Sequence, residues 1–140
     1  MTDRPTVAAS PLRGTTLLPD GGDLAIAEWE SPAGETCWIA PLHVHHEAEE
    51  AWYVLEGEMI LVLDDEEITL RAGDCGIAVR GTVHTYRNAG PGALRYLLVM
   101  PRQIADLIAT LHAAPADPDA LAALFGEYGS TYYGWPHDPA

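Results

Sequence analysis

The chain has 140 residues, about the size of one domain, and 48% of them are hydrophobic, enough for a core. Its 21 acidic and 7 basic residues give a net charge of −14, which repels phosphate backbones and anionic lipid and argues against nucleic-acid or membrane partners. No run approaches the ~20 apolar residues of a membrane span, residues 1–14 lack a secretory apolar core, and Cys37 and Cys75 are spaced as neither a zinc knuckle nor a redox pair, so a cytoplasmic setting is expected.

Pro5 and Pro11 break any helix in residues 1–14, which read as a loose arm. Thr15–Leu18 and Leu24–Glu30 read as strands around the Asp20-Gly21-Gly22-Asp23 turn. In the second, Leu24, Ile26 and Glu28 alternate with Ala25, Ala27 and Trp29. Ser31-Pro32-Ala33-Gly34 turns the chain into Thr36–Ile39, which leads to a histidine-bearing strand. Ala51–Leu55, Met59–Leu63, Ile68–Leu70, Ile77–Val79, Val83–Arg87 and Leu94–Met100 follow as strands. They are separated by Glu56-Gly57-Glu58, an acidic turn at Asp64–Glu67, Ala72-Gly73-Asp74 and Asn88–Gly92. Strands this closely spaced, punctuated by Gly and Pro, predict an all-β sandwich or barrel over residues 15–101.

The pattern then becomes helical over residues 102–140. Ile104, Leu107, Ile108 and Leu111 share one helix face. Asp117-Pro118-Asp119 offers an N-cap, a proline at the first helical position and an acidic first turn. Leu121, Leu124, Phe125 and Tyr128 repeat the stripe, and Gly129 fits the position after the helix. The two stripes read as packing surfaces, over the barrel mouth or an interface. The tail Tyr132-Tyr133-Gly134-Trp135-Pro136 is expected to dock on the body or on a second subunit.

Three histidines and a glutamate carry the chemical signal. His43 and His45 are two apart, Glu50 follows, and His84 lies on a separate segment. Neutral imidazoles with one carboxylate suit one divalent transition metal, such as iron, manganese, nickel, cobalt or zinc, and leave positions open for a small molecule. Residues two apart on a strand point the same way, so His43 and His45 aim at one point. The segment His46–Glu49 must bend the chain for Glu50 to return from the next strand; Glu47 and Glu49 flank it, and Glu49 is the competing ligand. By the same parity Trp52 and Val54 share the inward side of Glu50, Tyr86 that of His84, and Ile39 and Cys37 that of His43. Trp52, Val54, Tyr86 and Ile39 are therefore the expected pocket residues, with plain core packing the alternative for the two aromatics. Cys37 lies roughly 20 Å along an extended strand from His43, too far to share its metal. His46 should face solvent, and His112 and His137 read as surface residues.

The same residues resemble the two motifs of the cupin superfamily. His43-Val44-His45-His46-Glu47-Ala48-Glu49-Glu50, six residues and Gly57 form the first. Gly73, five residues, Val79-Arg80-Gly81, two residues, His84, three residues and Asn88 form the second. Val79 stands where the family usually has proline, which loosens a turn and touches no ligand. The six-residue step to Gly57 favours Glu50 over Glu49, and the 15 residues between Gly57 and Gly73 resemble a compact microbial cupin. The resemblance implies a jelly-roll barrel with two short C-terminal helices, a homodimer, and a metal site of His43, His45, Glu50 and His84. It further implies quercetinase-like dioxygenase chemistry on a small organic substrate, with Glu50 able to act as general base. A non-redox metal cupin of natural-product metabolism (a cyclase, isomerase, lyase or decarboxylase) is the alternative, and a non-catalytic metabolite-binding module the third.

Overall fold

The computed structural model describes residues 12–113 and 117–136. The arm expected over residues 1–14 lies mostly outside them, as does His137. Ten strands and two helices run in the order β1 (Thr16–Leu17), β2 (Leu24–Ser31), β3 (His43–His45), β4 (Glu50–Glu56), β5 (Glu58–Leu63), β6 (Glu66–Arg71), β7 (Cys75–Ala78), β8 (His84–Asn88), β9 (Leu94–Pro101), α1 (Arg102–Ala113), α2 (Pro118–Glu127) and β10 (Ser130–Tyr132).

The strands form two five-stranded sheets, ordered β1-β2-β9-β4-β7 and β10-β3-β8-β5-β6. Every strand pairing within them is antiparallel. Their inner faces close on each other as a jelly roll, which fits the sandwich or barrel expected from the strand spacing and the architecture that the family resemblance implies. β9 shows why the sheets bury one face: Leu94, Tyr96, Leu98 and Met100 are buried, while the residues between them are half-buried. With Trp52, Val54, Met59 and Leu61 they form the core. Two close backbone approaches depend on glycine. Gly57 has φ of 82°, and a Cβ there would collide with the Ala93 carbonyl. Gly76 faces inward on β7, where a Cβ would meet the side chains of Leu61 and Leu70.

Three segments are decided by the tertiary structure. Thr36–Ile39 is not a strand; it carries an isolated bridge from Trp38 to Arg87 and one bond from Ile39 N–H to the Tyr86 carbonyl, 2.9 Å. Pro41, two residues beyond Ile39, has no N–H to give and interrupts any ladder there. The acidic turn is shorter than Asp64–Glu67, because Glu66 and Glu67 already belong to β6. Ser130–Tyr132 pairs with β3 as a strand, Ser130 opposite His45 and Tyr132 opposite His43, so the tail expected to dock begins inside it. It has too few residues to show a periodicity.

Both helices form where the stripes predict. The Asp117 side chain caps α2, accepting from the Asp119 and Ala120 N–H groups at 2.8 and 3.2 Å. Tyr128 is its C-cap and Gly129, at φ of 70°, turns the chain back into β10. Gln103 Nε2 donates to the Tyr128 carbonyl at 2.7 Å and ties the end of α2 to α1.

Candidate metal centre

The four expected ligands meet although they come from two sheets. His43 on β3 lies directly opposite His84 on β8, and β3 places His45 on the same side. Glu50, first residue of β4, projects from the facing sheet. Its Oε1 lies 2.6 Å from His84 Nε2, 3.1 Å from His45 Nε2 and 3.8 Å from His43 Nε2. One ligand atom from each of the four residues lies within 4.8 Å of every other, and all four residues are buried.

The outer nitrogens are already committed. His43 Nδ1 donates to the Pro41 carbonyl at 2.7 Å, and His84 Nδ1 to the Thr82 carbonyl at 2.9 Å. His45 Nδ1 lies 2.6 Å from Ser130 Oγ, whose own hydrogen goes to the Tyr128 carbonyl at 3.3 Å. A carbonyl can only accept, so the hydrogen of each neutral ring sits on Nδ1 and the Nε2 lone pair faces inward. Three inward lone pairs then face a carboxylate oxygen. Acceptors this close need extra protons or a cation between them, and the donor set suits a divalent transition metal.

The electrostatics match that reading. Burial pushes the Glu50 carboxyl up, but protons shared with His43, His45 and His84 in the metal-free cluster outweigh it and hold it well below the usual carboxylate range. Burial dominates at His43 and lowers its value, whereas at His84 the contact with Glu50 overcomes burial and raises it.

The cluster opens on a cavity of about 630 Å³. Ile39 and Tyr86 line it, and Trp52 and Val54 do not. Both share Glu50's inward side, but each is fully buried in the core, a layer behind the cavity wall. The Trp52 ring packs 5.5 Å from those of His84 and Tyr86, backing the site from behind.

Several wall residues escape sequence parity. Tyr96 and Leu98 come from β9, and Ile104, Leu107, Leu121 and Phe125 from the helices. The Phe125 ring lies 5.3 Å from that of His43, so α2 covers the metal-ligand cluster itself. The helical stripes are thus both packing surface and cavity ceiling; a 3.6-residue repeat signals burial without saying against what. His112 is exposed on α1, as expected, and also borders the cavity, 5.9 Å from the Trp29 ring.

The remaining candidates fall outside the centre. His46 and Glu49 are exposed, and His46 Nε2 bonds Thr131 Oγ1 at 2.8 Å. Cys37 and Cys75 are free and exposed. Arg80 is exposed, and Asn88 is a structural pin: its Oδ1 accepts from Gly90 N–H at 2.8 Å and its Nδ2 donates to the Gly92 carbonyl at 2.9 Å. Gly81 N–H donates to the His45 carbonyl at 2.9 Å, which ties the second motif to the first.

Fold and site together define a small jelly-roll protein with a buried pocket of three histidines and one glutamate. The chain belongs to the cupin family: residues 28–100, about half of its length, match the Cupin domain. A segment of 47 residues is 45% identical to quercetin 2,3-dioxygenase of Bacillus subtilis, covering 34% of this chain and 14% of that enzyme. An uncharacterized protein of Methanocaldococcus jannaschii is 36% identical over 56 residues, 40% of this chain and 45% of that one. The matches thus span less than half the length of either curated relative. Among solved structures, a cupin protein from Bacteroides fragilis superposes with a TM-score of 0.59 at 19% identity, over 72% of this chain and 86% of that one. A double-stranded β-helix protein from Klebsiella pneumoniae gives 0.52 at 27%, over 68% and 79%. A putative sugar phosphate isomerase from Acidithiobacillus ferrooxidans gives 0.51 at 26%, over 57% and 51%.

Proposed function

We propose that the protein is a mononuclear metal-dependent enzyme acting on a small, largely apolar organic molecule, with dioxygenase chemistry of the kind named for its Bacillus relative. The observation that carries this is the cluster of three inward Nε2 atoms and one ionised carboxylate at the wall of a mainly apolar cavity. His43, His45, Glu50 and His84 would hold the ion. A divalent transition metal there would supply Lewis acidity toward a substrate oxygen and, if iron, manganese, nickel or cobalt, electron transfer to dioxygen. Glu50 is placed to take a proton from a substrate enol or phenol. Phe125 and the helical leucines exclude water from the reacting end.

The wall also bears on substrate charge. No Arg or Lys lines the cavity among the described residues, so a sugar phosphate would find no cation to pair with. That favours a neutral, flat molecule over the substrate named for the isomerase. The same reading places the protein in the cytoplasm, which suits two free, exposed thiols. It also makes the protein a homodimer, supported by the exposed rings of Tyr133 and Trp135 and by exposed Ile77 and Val79 in and beside strand β7.

Elemental analysis of tag-free protein tests the metal, with one ion per chain expected and loss of it in the double variant His43→Ala/His84→Ala. Turnover of flavonols, diketones and β-keto acids under dioxygen tests the chemistry. Zinc as the native ion, with turnover that consumes no oxygen, would instead establish a non-redox cyclase, isomerase, lyase or decarboxylase.

A further inference from the structure

Behind the ligand cluster, three hydrogen-bond donors share one acceptor position too few. Tyr86 and Tyr96 place their hydroxyl oxygens 2.8 Å apart, both residues are buried, and both line the cavity. Among the described residues the Tyr96 hydroxyl has no other hydrogen-bond partner, and the Tyr86 hydroxyl has only the Trp52 indole N–H beside it. The pair holds two hydroxyl hydrogens and makes one bond between them, so one hydrogen is left over whichever ring donates. The buried Trp52 indole N–H makes no hydrogen bond of full geometry, and the Tyr86 hydroxyl is the acceptor it faces. Buried donors without acceptors are costly, and natural cores contain few of them.

We propose that Tyr96 is the substrate-positioning donor of this cavity: its hydroxyl hydrogen, turned outward by Tyr86, holds an acceptor oxygen of the bound molecule. The proposal rests on the reading of the cavity as a substrate site and adds a second polar anchor to it. The direction follows from Trp52. Its N–H faces the Tyr86 oxygen, which turns the Tyr86 hydrogen away, toward the Tyr96 oxygen. The Tyr96 hydrogen is then the one without a protein partner. Tyr86 lies two residues beyond His84 on β8, roughly 7 Å along the strand. A molecule anchored at both places therefore carries two oxygen functions about one ring apart on an otherwise apolar frame: one for the ligand cluster, one a carbonyl, ether or similar acceptor for Tyr96. An acceptor-free hydrocarbon would leave the hydrogen unpaired and bind less well.

The test uses the full chain as purified and two flat probes of nearly equal shape, 9-fluorenone, which has a carbonyl, and fluorene, which has none. Calorimetry should show Tyr96→Phe binding fluorenone about five-fold more weakly, the size expected for one neutral hydrogen bond, and fluorene unchanged. The infrared carbonyl stretch of bound fluorenone should lie lower in the wild type than in Tyr96→Phe; a packing role for the ring would not produce that difference. Tyr86→Phe should keep most of the infrared shift, since the Tyr96 hydroxyl remains. An identical stretch in wild type and Tyr96→Phe overturns the proposal, as does failure of both probes to bind. Loss of the shift in Tyr86→Phe alone would assign the donor to Tyr86 and overturn it too. The experiment reads neither metal content nor turnover, so its failure is distinguishable from failure of the proposed chemistry.

Discussion

Ser130→Ala is the sharpest single probe of the metal centre, because one hydroxyl on the last strand orients one ligand. Ser130 Oγ lies 2.6 Å from His45 Nδ1, and both residues are buried. The other two imidazoles are oriented by backbone carbonyls, which no side-chain substitution can remove. Ser130→Ala deletes the acceptor and leaves a buried N–H unpaired, at a cost of roughly 1–3 kcal/mol. His45 is then free to change tautomer, and its Nε2 lone pair is no longer held toward the metal position. Loss of such an outer partner weakens metal binding about 10–100-fold, or roughly 1.4–2.7 kcal/mol. Competition of cobalt or zinc against a chromogenic chelator measures this directly. Thr131→Ala is the matched control: Thr131 neighbours Ser130 on β10, but its hydroxyl bonds the exposed His46 instead. The reasoning is refuted if Ser130→Ala folds normally and keeps wild-type affinity, or if Thr131→Ala weakens binding as much.

Three further outcomes are expected. Glu50→Gln should fold, bind metal more weakly and lose most turnover, while Glu49→Gln, at an exposed neighbouring position, should be nearly silent; metal content and rates of the pair measure this. Gly57→Ala should lower stability by more than the ~1–2 kcal/mol of a left-handed alanine, because its Cβ also meets the Ala93 carbonyl, and urea midpoints report it. In metal-free protein the depressed Glu50 carboxyl contributes stability that is complete above its unfolded value of 4.5 and lost as pH falls further, through the folded value. His84, shifted upward, contributes below 6.5 and loses that contribution as pH rises through its folded value. His43, shifted downward, opposes it, so denaturation against pH should show its main loss on the acid side of 4.5, and that loss should shrink in Glu50→Gln.

The metal-ligand set was legible in the sequence because ligand chemistry and strand parity are local properties. Residues two apart on one strand share a face whatever else the chain does, so His43 with His45, and Tyr86 with His84, could be placed together from spacing alone. Helix stripes and the Asp117 cap are local in the same sense. Depth is not local. Parity puts Trp52 and Val54 on the inward side, yet whether an inward side chain meets a cavity or the core depends on what the facing sheet brings to that level. Here the facing strands bring His84 and Tyr86 against Trp52, so the cavity wall forms without it. Tyr96 could not be paired with Tyr86 in advance, because their contact joins β9 to β8 across two sheets. β10 was hidden for a related reason: three residues show no period, and Ser130–Tyr132 become a strand only because the exposed edge of β3 offers them a ladder. Chain chemistry determined which residues can hold a metal; the closing of two sheets and a helical cover decided how deep that site lies, which hydroxyl orients His45, and what shape of molecule can reach it.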